Sequence, residues 1–179
     1  MRKVAMAAAM CLGLVGCSGG ESEKKADAVP DAFPAGTWQV GSEVTAIRST
    51  DKTDPAVKAA VGDKENGSVC VDKAGEKPAP ALFAGAGNEC TYKSSYIKGG
   101  TLNAQLECRR EGLQGMVMMS VSGSYTAKDF TATVDTTSYL SQRGNFQMSR
   151  KVHGTLTPGA CTPAPADDDE AEDGNASGG

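Results

Sequence analysis

Six thiols and one imidazole carry most of the reactive chemistry in this chain: Cys11, Cys17, Cys70, Cys90, Cys108, Cys161 and His153. Their spacing decides what that chemistry is. No two cysteines form a Cys-x-x-Cys pair and there is a single histidine, so neither a tetrahedral zinc site nor a thioredoxin-like redox site fits. His153 stands opposite in parity to Val152 and faces water, with no nucleophile placed beside it. There is no Gly-x-Ser-x-Gly elbow, and "GAGNEC" lacks the strand–helix setting and lysine of a phosphate loop. We therefore expect no enzyme, with no catalytic residue, cofactor or metal site. Met116, Met118, Met119 and Met148 are soft thioethers of the kind that hold copper. Met116 and Met118 face opposite to Met119, so one sheet face cannot present them all, and packing is their expected role. Trp38, Tyr92, Tyr125, Phe130 and Phe146 are expected in the core.

Cys17 has a different setting. Arg2 and Lys3 precede an apolar run from Val4 to Val15. As a helix, such a run of about 12 residues reaches about 18 Å, too short for a hydrocarbon core of about 30 Å. A positive start, a short apolar middle and a small-residue end describe a secretory signal peptide. Its end, Leu14-Val15-Gly16-Cys17, resembles the lipobox of bacterial lipoprotein precursors. The resemblance implies cleavage after Gly16, a diacylglyceryl group on the Cys17 thiol, and an acyl chain such as palmitate on the new amino group. Each buried methylene contributes about 0.8 kcal/mol, so several chains hold where one is marginal. Ser18 stands where an inner-membrane retention signal shows Asp, which implies the outer membrane, facing the periplasm. Cys11 lies within the segment to be removed.

Composition bounds the rest. Residues 1–16 are the expected signal peptide and 17–33 the lipidated cysteine with a flexible Ser-, Gly- and Lys-rich tether. As a coil, that tether spans roughly 20–25 Å. At the other end, 162–179 holds Asp167, Asp168, Asp169, Glu170, Glu172 and Asp173 with no cation, and is expected to be a disordered tail. Residues 34–161 remain, one ordinary domain in size. The formal net charge of −4 becomes +2 once the six tail acids are set aside, so nothing points to nucleic acid.

The domain must be built from strands. "GTWQVGSEVTAIRS" alternates, with Trp38, Val40, Val44 and Ala46 on one face. "DPAVKAAVG" carries Asp54 as N-cap, Pro55 at the first helical position and Gly62 as a stop, which predicts one short helix after the first strand. "GSVCVD" predicts a strand with Cys70, followed by a Pro- and Gly-rich loop over 73–87. In "ECTYKSSYIKGGTLNAQLECRR" two strands flank Gly99-Gly100, a hairpin signal. Leu102, Ala104, Leu106 and Cys108 share one face of its second strand. Three more strands follow, with Val117, Met119, Val121 and Tyr125, then Phe130, Ala132 and Val134, then Phe146, Met148 and Val152 on their inner parities. Short links predict antiparallel pairing. The expected architecture is mostly β: one antiparallel meander of about six or seven strands, curved into an open or half barrel. A two-sheet sandwich is the alternative.

Four domain cysteines in an exported chain predict two disulfides, with three possible connectivities. The hairpin selects among them. Cys90 and Cys108 each stand nine residues from Gly99, near the open end of the hairpin, so they should pair. Cys70 and Cys161 then pair by elimination and tie an early strand to the end of the domain.

The order of elements also carries a resemblance. "FPAGTWQV", "GSVCVD", "NECTYKSSYIKGGTLNAQLEC", "GSYTAKDFTATVDT" and the closing Cys161 resemble domain of unknown function family 3617, found in exported proteobacterial proteins. The opening here is Pro-Ala-Gly-Thr-Trp in place of Pro-Gly-x-Trp. The resemblance implies fold and compartment and transfers no catalytic residue. The resulting expectation is a noncatalytic envelope lipoprotein, joined to the membrane through Cys17, that binds an envelope protein partner or serves a structural role. The alternative is a lipocalin-like carrier of a small hydrophobic ligand.

Overall fold

Alternation of apolar and polar residues turns into one curled sheet in the computed structural model, which describes residues 29–157 and Cys161. The expected signal peptide, Cys17, most of the tether and the acidic tail lie outside the described residues. Seven strands form the sheet: β1 (Gly36–Ser49), β2 (Lys64–Val71), β3 (Asn88–Lys98), β4 (Thr101–Arg110), β5 (Gly115–Tyr125), β6 (Asp129–Leu140) and β7 (Phe146–Thr157). All neighbours are antiparallel, in the order β2-β1-β7-β6-β5-β4-β3. The β3-to-β7 meander follows from short links. The long β1–β7 pairing closes the circuit instead, and it brings the first and last strands side by side. β2 and β3 are left as the two edges of a half barrel.

The concave face collects the apolar parity of every strand. Leu102, Leu106, Val117, Met119, Val134 and Val152 are all buried there. Residues 72–87 run between the two edges, and this segment carries the short helix α1 (Ala81–Ala84). Leu82, Phe83 and Ala84 of α1 join the core cluster of the sheet. The helix starts at Pro80, whose ring presets a helical φ, and ends at Gly85 with φ of 75°.

The short helix therefore follows β2, and the segment expected to be helical, 54–62, is not. Its accessibility alternates residue by residue, with Val57 and Ala59 half-buried and Lys58 and Ala60 exposed. A two-turn helix is marginal by itself because nucleation costs more than so few bonds return. Here the backbone finds better partners in β1 and the β6–β7 link: Ala56 N donates to Gly144 O at 2.9 Å and Gly62 N to Val44 O at 2.8 Å. A bulge between Val44 and Ala46 also shifts the pairing of β1, so Ala46 is exposed and Ile47 turns inward.

A second bulge, between Tyr92 and Ser94, decides the hairpin. Next to the Gly99-Gly100 turn, Lys98 pairs with Thr101, a register that taken alone would set Cys90 against Arg109. The extra residue at the bulge slides the pairing by one, and Cys90 faces Cys108. Their Cα atoms are 4.0 Å apart and they are bonded, as are Cys70 and Cys161 at 5.5 Å. These are the expected pairs.

Candidate ligand-binding cleft

Where the β7 parity predicts a core residue, an arginine stands. Arg150 lies between Met148 and Val152 on the inner face and is 5 % exposed. Taking a guanidinium out of water is costly unless its donors are met. α1 meets some of them: Arg150 Nη2 donates to Phe83 O at 2.7 Å and to Ala84 O at 3.0 Å. These two carbonyls stand at the end of a one-turn helix, where acceptors lack intrahelical partners. Gly85 allows the close approach. A Cβ at that position would lie 2.6 Å from Arg150 Nη1 and 3.0 Å from Glu65 Oε2.

Arg150 Nε has no hydrogen-bond partner. On the adjoining strand, Thr136 follows the buried parity of Phe130, Ala132 and Val134, and its Oγ1 is also buried without a partner. In register, Val134 faces Arg150 and Thr136 faces Met148, so Thr136 and Arg150 are diagonal neighbours on the concave face. Among the described residues these are the two buried side-chain polar atoms left unsatisfied, and both residues line one cleft. Its volume is about 260 Å³. A second lobe of about 230 Å³ adjoins it and shares Ser42, Glu65, Gly85 and Arg150, with Val69, Leu82 and Val152 on its wall.

The lining of the larger cleft is cationic. Lys58, Lys64, Arg110 and Arg150 stand against Asp63 and Glu65. Both acids are engaged, Asp63 by Ala60 N at 2.7 Å and Glu65 by Ala86 N at 2.9 Å. The ion pairs among the described residues, Lys64–Glu43 and Lys93–Glu107, leave Arg150 out. Burial pushes the Arg150 guanidinium down from its ordinary value, Glu65 opposes that shift and Arg110 adds to it. An arginine starts so high that it stays charged. Apolar walls complete the site: Val117 and Met119 from β5, Phe146 and Met148 from β7. Val57 and Ala59 reach it from the extended 54–62 segment.

The rim at this end is held by Asp51. Its carboxylate accepts Gly144 N at 2.8 Å, Asn145 N at 2.9 Å and the Thr53 hydroxyl at 2.6 Å. The Thr53 hydroxyl and the Asn145 amide hold the Asp51 carboxyl well below the usual carboxylate range, against the opposing effect of burial. Beyond it, Asn145 Oδ1 accepts Leu140 N at 2.8 Å and Ser138 Oγ accepts Phe146 N at 2.8 Å, which seats Phe146 on the cleft wall.

The residues singled out from sequence fall elsewhere or in part. His153 is exposed, its ring lying across Gly41. Met119 and Met148 reach the cleft, whereas Met116 is exposed on the other face. Trp38, Tyr125, Phe130 and Phe146 are buried, and Tyr92 packs at the core's edge with its hydroxyl donating to Pro78 O at 2.8 Å. Among the described residues no three His, Cys, Asp or Glu side chains gather as a metal site, and no helix is long and apolar enough to cross a membrane. Arg150 and Thr136 are the residues sequence reading misses. Their signal is a charge and a hydroxyl in an otherwise apolar alternation, F-x-M-x-R-x-V in β7 and F-x-A-x-V-x-T in β6.

A family model described as a protein of unknown function, DUF3617, matches residues 33–161. No curated protein and no solved structure matches the chain.

Proposed function

The chain belongs to the DUF3617 family, and we propose that it is a noncatalytic binding module of the cell envelope that carries a small, largely apolar ligand. The cleft on the concave face is the observation that carries this reading. Apolar walls from β5 and β7 stand beside a mostly cationic polar lining, and its two lobes are together of the size of an ordinary ligand site. That arrangement favours the carrier form over docking of a protein partner. Anchoring through acylated Cys17 in the outer membrane is supported by the Leu14-Val15-Gly16-Cys17 sequence and the polar tether after it.

Native mass spectrometry of the protein extracted from membranes tests the carrier. A copurified small molecule is expected. Protein that is consistently empty, with a stoichiometric protein partner bound, overturns it. Cys17→Ser should move the protein out of the membrane fraction, and unchanged partitioning would refute the anchor.

A further inference from the structure

The geometry points to a carboxylate as the polar group of the ligand, held at the Arg150–Thr136 end of the cleft; this rests on the carrier reading above. Buried polar atoms are almost always paired, so two orphans on residues that line one cleft need an explanation. Arg150 Nε–H is a donor only, and the Thr136 hydroxyl is free to donate as well. Arg150 needs an acceptor, and the same acceptor can satisfy Thr136. An anion answers better than a neutral oxygen, because Arg150 has no carboxylate partner in the ion pairs of the described residues. The neighbourhood supports one charge and not two. Glu65, whose Oε2 stands beside Gly85 and the guanidinium, would repel a dianion.

The remainder of the ligand is apolar. Val117, Met119, Phe146 and Met148 flank the polar end, and thioethers adapt to chains of differing shape. A short to medium-chain monocarboxylate fits this description. Arg150 is positioned for it in advance: the Phe83 and Ala84 carbonyls fix its Nη2, so little freedom is lost on binding.

Titration calorimetry of the full protein in phosphatidylcholine nanodiscs, corrected with empty discs, tests the assignment with octanoate, octanol and octyl phosphate. Octanoate should bind saturably and about tenfold or more tighter than octanol. Thr136→Val should weaken octanoate severalfold and leave octanol unchanged. Arg150→Met should abolish the preference for octanoate while octanol still binds; Thr136→Val carries the test alone if Arg150→Met does not fold. Equal binding of octanoate and octanol overturns the carboxylate and leaves the carrier standing. Tighter binding of octyl phosphate also overturns the carboxylate. Binding of none of the three overturns the carrier reading together with it.

Discussion

The two ends of the half barrel are filled on opposite terms. At the end where β1 and β6 begin, Phe33 packs against Trp38 with ring centroids 4.7 Å apart, Tyr125 at 5.2 Å and Phe130 at 5.8 Å. Phe83 of α1 meets Phe130 edge-on at 5.8 Å. Every polar tip there has a partner: Trp38 Nε1 donates to Pro34 O at 3.2 Å and the Tyr125 hydroxyl to Asp31 O at 3.1 Å. At the end where β7 begins, the same inner face carries Ser138, Thr136 and Arg150, leaves two polar atoms unmatched, and opens into a cleft. One end is complete by itself. The other leaves two buried polar atoms unpaired, the kind of local inconsistency that a plain core avoids.

Breaking the closed end should be the costliest change. Opening Cys70–Cys161 with the double Ser variant should lower unfolding free energy by about 4.5 kcal/mol, against about 3 for Cys90–Cys108, because the chain separations are 91 and 18 residues. Urea titration of both variants checks the order; equal losses would show that strand pairing holds the long loop without the bond. Trp38→Ala should follow at about 3–5 kcal/mol, since its ring partners Phe33 and Phe130 cannot collapse into the space it leaves.

The open end should respond in smaller steps and in both directions. Ser138→Ala should cost about 1–2 kcal/mol, because Phe146 N–H loses its acceptor in a buried position. Asp51 supplies a pH signature. Its folded carboxyl lies below its ordinary value of 3.8, so its contribution is complete above that value and is lost as pH falls through the folded one. The melting temperature should drop below about pH 4 in the wild type and drop less in Asp51→Asn; parallel curves would assign the acid loss to other groups. The smallest effect carries the opposite sign. Thr136→Val should be neutral or stabilise by up to about 1 kcal/mol, since it removes an unpaired buried hydroxyl at similar volume. A loss above that would mean the hydroxyl has a partner in the free protein, and the contrast between the ends would weaken.

Much of this contrast was legible in the strands. Alternation assigned Leu102, Leu106, Val117, Val121, Phe130 and Val134 to the inside, where they are. The same alternation places Thr136 and Arg150 on the inner parity, but it is silent on whether a polar group there finds a partner. For Arg150 the partners come from Phe83 and Ala84, 67 and 66 residues earlier, through a helix that the Pro- and Gly-rich composition of 73–87 disguised as loop. Segment 54–62 shows the converse. Its N-cap and Pro55 are sound local helix signals, and hydrogen bonds to Gly144 and Val44 outweigh them.

The sequence by itself determined the class of the fold, the parity of most strand residues and which cysteines should pair, because these depend on period, turn residues and counting; the registers that expose Ala46 and set Cys90 against Cys108 rest on two bulges it does not show. Tertiary structure decided the rest. It placed β1 against β7, set bulges at Thr45 and Lys93, and made Ala81–Ala84 helical while 54–62 stayed extended. It also brought Gly85, Thr136 and Arg150 together at one mouth of the sheet. Local rules act over a few residues. Whether a buried donor is satisfied depends on carbonyls delivered from across the chain, and only the folded sheet brings them there.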